Sequence, residues 1–272
     1  MSGAERKEWV DQLSEREWAI LRDLARVRLL TGRHVQRLHL HDGSPLTQAR
    51  RTRSTLQRMS DMGLVHRLER RIGGLHGGSS GFVIGLAAKG QRLVSGVGPA
   101  GGRRLRKPWE SSWRFTHHVL AVSELYVQLR EAERAGALEL HEFDAEPAGW
   151  RFWTGLHGER LILKPDAFVV LSVGDIEHRS FVELDRATES LTVIRKKAAS
   201  YIAYYDAGSE QQRFGIFPRV LFVVPDEKRK EQVVDVLAKL DALYWRLFQV
   251  VTIEQAVWAL IGSPTEAPRN AE

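Results

Sequence analysis

Three acids stand where acids are costly. Asp166 follows Lys164-Pro165 inside the apolar run 161–171, and Glu183 and Asp185 flank Leu184 at the end of the run 181–184. In a strand, that spacing points Glu183 and Asp185 to the same face. Glu124 lies within a helical pattern with His117 seven residues earlier, so these two share a helical face. A carboxylate among apolar neighbours needs a cation or hydrogen-bond donors to stay charged. Hard oxygen ligands suit Mg2+ or Mn2+, which makes Glu124, Asp166 and Glu183 the candidate metal ligands. One or two such ions beside a phosphodiester would activate water and stabilise the leaving oxygen.

The same residues admit structural roles. Thr188 can cap a helix with Glu189 in its first turn, and Glu183 can pair with Lys197 or Arg186 as a buried ion pair. His117 and His118 read as core or surface histidines, and Trp109, Trp113, Trp150 and Trp153 as core or rim aromatics. Tyr201, Tyr204 and Tyr205 share a helical stretch with Ile202 and read as packing, with Tyr201 kept as a candidate nucleophile.

The elements that must position these acids follow a mixed pattern. A long helix ending near Gly136 precedes strands at 138–143, 161–171 and 181–184. A helix at 188–205, a strand at 220–224, a helix at 226–248 and a strand at 250–253 complete a mixed α/β sheet, with a short helix after it.

A second set of residues has a different chemistry. Ser14 with Glu17 forms a capping box, and Trp18, Ile20, Leu21, Leu24, Val27 and Leu30 recur behind it at helical spacing. Thr31-Gly32 breaks that helix, a short one follows at 33–40, and a third runs over 47–62 with Gly63 as its stop. Strands at 64–68 and 82–86 enclose a loop containing Gly73, Gly74, Gly77, Gly78 and Gly81. Three helices and a hairpin with a glycine-rich tip are the order of a winged helix-turn-helix. The third helix carries Thr47, Gln48, Arg50, Arg51, Arg53, Ser54, Gln57 and Arg58, with no acid before Asp61. Arginines suit phosphates and guanine edges, and glutamines suit adenine edges. Arg67, Arg70 and Arg71 on the wing are placed to reach flanking backbone, so double-stranded DNA is the expected partner.

The charge distribution agrees. The net charge is +6, but residues 1–107 hold 21 Lys and Arg against 9 Asp and Glu, a balance of +12. Residues 108–272 hold 19 against 25, a balance of −6, which implies two surfaces with different partners. The expected division is a DNA-binding domain at 1–95, a Gly/Arg-rich linker at 96–108, an α/β domain at 109–261 and a disordered tail at 262–272. The chain has no cysteine, which removes disulfides and thiolate chemistry and fits a reducing cytoplasm. No run is long enough to span a membrane and the start lacks a signal-peptide core. Neither a Gly-x-Ser-x-Gly elbow nor a Walker loop is present.

Pro165-Asp166 followed by Glu183-Leu184-Asp185 resembles the core of the PD-(D/E)XK nuclease fold, which implies an α+β protein whose second domain is of restriction-endonuclease-like type. More narrowly, several features look like the replication-relaxation family of plasmids and mobile elements. These are the winged helix, His117 and Glu124, Lys164-Pro165-Asp166-Ala167, the segment from Val182 to Ser190, and Lys197 and Tyr201. The resemblance implies a role in plasmid replication, DNA relaxation or mobilisation, with a second copy of the chain or other replication and mobilisation proteins as further partners. Asp166, Glu183, Asp185 and Lys197 are the catalytic candidates it implies. Asp185 stands where the nuclease signature has lysine. Lys196 or Lys197 would then have to supply that ammonium from the following helix, with Lys164 a further candidate. The alternative is a regulator whose second domain keeps the fold without the chemistry and serves dimerisation or partner docking.

Overall fold

Caps set where the amino-terminal helices begin. The computed structural model describes residues 9, 12–68, 82–95, 113–155 and 158–262, and the chain divides into two compact units, Met1–Val127 and Gln128–Glu272. In the first unit, Ser14 caps α1 (Glu15–Val27) in the expected box with Glu17. Thr31 caps α2 (Gly32–His39), and Ser44 caps α3 (Pro45–Asp61), where Pro45 stands in the first turn. Gly63, at φ 68°, turns the chain out of α3, as its position predicted.

Between α1 and α2 lies a strand the helical spacing had hidden. Arg28 takes φ 73° and ends α1, so Leu29 and Leu30 leave the helix and form β1 (Leu29–Thr31). β2 (Val65–Arg67) and β3 (Val83–Leu86) follow, and all three make one antiparallel sheet in the order β1-β3-β2. Ile20, Leu21, Leu24, Val35, Leu56, Met59 and Ile84 are buried in this unit.

α4 (Ala88–Ser95) closes the layer, and Leu93 is buried. Gly90 is needed here because a β-carbon at that position would overlap the Leu64 carbonyl. Gly→Ala in an exposed helix ordinarily stabilises by about 1 kcal/mol. Gly90→Ala should reverse that sign and destabilise by about 1–3 kcal/mol, read as a lower thermal midpoint. A raised midpoint would mean that α4 does not pack against Leu64.

The boundary between units falls inside α5 (Trp113–Arg134). Its first part belongs to the first unit: the Ser123 hydroxyl donates to the Leu29 carbonyl at 2.6 Å, and Tyr126 donates to Asp23 at 2.7 Å. The expected linker at 96–108, Trp109, the wing residues Arg70 and Arg71, the loop glycines at 73–81 and the tail beyond Gly262 lie outside the described residues.

The second unit is built on a five-stranded mixed sheet in the order β10-β9-β8-β7-β4. β4 (Glu139–Ala145), β7 (Ala167–Val173) and β8 (Ile176–Leu184) run antiparallel. β9 (Arg219–Val224) and β10 (Phe248–Thr252) then continue parallel to β8. α6 (Leu191–Asp206) joins β8 to β9, a short α7 (Ser209–Phe214) follows it, and α8 (Glu227–Leu237) lies between β9 and β10. Phe168, Phe181, Val220 and Phe222 form one core with Ile194, Ala198 and Tyr201 of α6 and Val233 and Leu237 of α8.

Two expectations change. The run 161–171 is not one strand. Pro165 has no N–H to give a ladder, and the chain bends at 164–166 between β6 (Arg160–Leu163), paired with β5 (Arg151–Thr154), and β7. The helix expected at 226–248 ends at Leu237. Asp241 then caps a 3-10 turn, Ala242–Leu247, that feeds β10. A second 3-10 turn (Ile253–Gln255) and α9 (Ala256–Leu260) end the described chain. No described helix is long and apolar enough to cross a membrane.

Candidate functional site

The bend at Pro165 sets Asp166 at the entrance of β7, beside the end of β8. Its N–H donates to the Val182 carbonyl at 3.1 Å, and its Oδ2 accepts the Leu184 N–H at 2.7 Å. Asp166 and Glu183 lie in phase with Phe168 and Phe181, which places all four on the sheet face that α6 covers. Glu183 is only 2% exposed. Tyr201 donates to its Oε1 at 2.6 Å, and the Lys197 ammonium lies 2.9 Å from its Oε2. Lys197 also lies 3.0 Å from Glu189, and Tyr201 follows it one turn later on α6.

One ammonium serves more than one carboxylate here. Burial pushes Glu183 up, the Asp166 charge adds to that, and together they outweigh Lys197 and Tyr201 to bring it to about 7. Burial would lower Lys197, but Glu183, Asp166 and Glu189 hold it above its ordinary value. Burial and the Glu183 charge raise Tyr201 well above the phenol range. Tyr201 is thus a buried hydrogen-bond donor to Glu183.

Asp185 shares the face of Glu183 but has other partners. Its Oδ2 lies 2.6 Å from Arg229 Nε on α8, and its Oδ1 accepts the Ala187 N–H at 2.9 Å. Arg229 donates in addition to the Glu189 carbonyl at 2.7 Å. Asp185 is thus committed to holding the segment from β8 to α6. Ser190, not Thr188, caps α6. Lys196 is exposed and the Lys164 ammonium rests 4.9 Å from the Trp150 ring centre. Of Lys164, Lys196 and Lys197, it is Lys197 that meets Glu183.

Glu124 lies within the first unit. Arg37 donates to both of its oxygens at 2.8 Å, and His34 Nε2 lies 3.1 Å away. Burial would raise it, yet His34 and Arg37 bring it down to about 2. Glu124, expected as a third metal-binding carboxylate, is engaged here by an ion pair with Arg37 and by His34, both of α2. Among the described residues, no group of three or more His, Asp or Glu side chains is disposed to hold a metal ion.

The α3 residues divide into committed and open ones. Gln48 spends its amide on the turn between α2 and α3, donating to the His41 and Gly43 carbonyls at 2.7 and 2.9 Å and accepting from Gln36 at 2.9 Å. Arg58 pairs with Glu17 and donates to the Gln12 carbonyl at 2.9 Å. The Thr47 N–H donates to the Ser44 hydroxyl at 3.4 Å, Arg53 donates to the Ala49 carbonyl at 3.3 Å, and Gln57 donates to Asp61 at 2.8 Å and accepts from Arg67 at 3.1 Å. Arg67 also stacks over Phe82 at 4.0 Å. Arg50, Arg51 and Ser54 are exposed. Sequence reasoning missed the parts of Arg37, His34 and Arg229, because each partner lies on an element distant in the chain.

No curated protein and no solved structure matches this chain. A family model described as replication-relaxation matches residues 21–220, which spans both the basic helices and the carboxylate pair, and it bears out the resemblance carried by residues 164–167 and 182–190. This chain belongs to the replication-relaxation family.

Proposed function

We propose that this protein binds duplex DNA in plasmid or mobile-element replication, relaxation or mobilisation, and that its second unit is a nuclease-type domain acting on a DNA strand. Family membership supports the replication or relaxation theme. The order α1, β1, α2, α3, β2, β3 supports a winged helix, in which α3 enters the major groove. The order of three antiparallel strands, a crossover helix and a parallel strand supports a restriction-endonuclease-type second unit.

The observation that carries the proposal is the meeting of Asp166, Glu183 and Lys197. Lys197 approaches Glu183 to 2.9 Å from α6 and so supplies the ammonium that Asp185 does not. Asp166 and Glu183 fit Mg2+ or Mn2+ in donor type: both are hard oxygen donors, and the charge of one already raises the other. Mg2+ is commonly held by one or two carboxylates, with water and phosphate completing its shell. When bound, such an ion supplies charge stabilisation at a scissile phosphate. Lys197 offsets the charge of the phosphate and orients Glu183, while Tyr201 holds the far oxygen of Glu183 in place.

Nicking of supercoiled plasmid in Mn2+ tests this reading. Asp166→Ala and Lys197→Ala should lower the rate by about 100-fold or more, with duplex binding kept and Tyr201→Phe retaining most activity. Binding without any nicking by the wild type would support the docking role instead.

A further inference from the structure

The outer face of α3 has two flanks. Gln57 bonds Arg67 of β2 on one of them. On the other, Arg50, Arg51, Ser54 and Thr55 line a groove of about 660 Å3 together with Leu40 and Arg16, the second residue of α1. No carboxylate lines the groove. Among the described residues, Arg16, Arg50 and Arg51 make no ion pair, whereas Arg58 of the same helix is held by Glu17. Arg16 also stands in the first turn of α1, where the helix dipole disfavours a cation, so helix stability does not account for it.

Three guanidiniums and two hydroxyls around one groove offer many donors and no internal counter-charge. The complementary group is a phosphodiester, which accepts several charge-assisted hydrogen bonds at once. We infer that this groove binds a backbone phosphate of duplex DNA, with Arg16 as an anchor outside α3. This rests on the DNA-binding reading above. Arg50, Arg51 and Ser54 then position the duplex without reading it.

Binding of the full chain to a short mixed-sequence duplex, followed by fluorescence anisotropy across a KCl series, tests the assignment. Arg16→Ala should weaken binding severalfold on every sequence and reduce the slope of log affinity against log salt by about 1. Arg16→Lys should restore most of that slope, since a point charge still reaches phosphate. Arg16 is exposed, so an unchanged thermal midpoint is expected and separates contact from folding. Wild-type slope and affinity in Arg16→Ala, with binding weakened by Arg53→Ala, would overturn the groove assignment and leave the DNA-binding reading standing. A loss of affinity without a change in slope would overturn it too. No salt-dependent duplex binding by the wild type would overturn both.

Discussion

Glu183→Gln should make the protein more stable than the wild type at pH 8 and leave it nearly unchanged at pH 5. In the folded protein, burial and the nearby Asp166 charge push Glu183 from an ordinary 4.5 to about 7. A carboxyl whose value is raised on folding stabilises the fold fully below its unfolded value. That contribution is lost as pH rises through its folded value, so the window runs from about 4.5 to 7. A tenfold change in proton affinity corresponds to about 1.4 kcal/mol, which sets the loss at about 3 kcal/mol. Glutamine keeps the shape and still accepts from Tyr201 or Lys197 without carrying the charge. Urea unfolding of both proteins at pH 5 and pH 8 gives the difference directly. Parallel pH profiles would show that Lys197 already neutralises Glu183 in full. A variant that gains stability while losing nicking would identify Glu183 as a residue held for chemistry at a cost to the fold.

Arg229→Leu should have the larger cost, about 3–5 kcal/mol. Asp185 is 2% exposed and Arg229 8% exposed, so removing the guanidinium leaves a buried carboxylate without its cation. Arg229 also holds the Glu189 carbonyl, and Glu189 in turn lies beside Lys197. Loosening that link should lower nicking along with stability. Arg229→Lys should rescue poorly, because Nε and a terminal nitrogen reach two acceptors together and a single ammonium does not reproduce that fork. Asp185→Asn with Arg229→Leu should recover part of the loss, since it removes the stranded charge. A change below about 1 kcal/mol in the urea-derived stability of Arg229→Leu would show that the pair contributes little.

These two expectations separate residues that sequence spacing alone treats alike. Glu183 and Asp185 are both buried acids two residues apart on one face, yet the first faces Asp166 and a shared lysine while the second has an arginine of its own. Alternation along a strand predicts the face and cannot predict the partner. Similarly, Gln48 and Arg58 read as base and phosphate contacts from their place on a basic helix. The packing of α3 against α1 and the preceding turn uses them internally.

What the sequence by itself determined is local in range. The Ser14–Glu17 box, the Gly63 stop, the buried periodicity of α1 and the basic face of α3 each depend on residues within a few positions of one another. The family likewise follows from contiguous motifs around Asp166 and Glu183. The tertiary structure decided how the charges are neutralised. Arg229 reaches Asp185 across 44 residues, and Arg37 reaches Glu124 across 87. An ion pair forms only where two side chains are brought within a few ångströms in a shielded site. Strand order and helix packing set that distance, so which lysine meets Glu183 and which side chains engage Glu124 were decided only once the chain had folded.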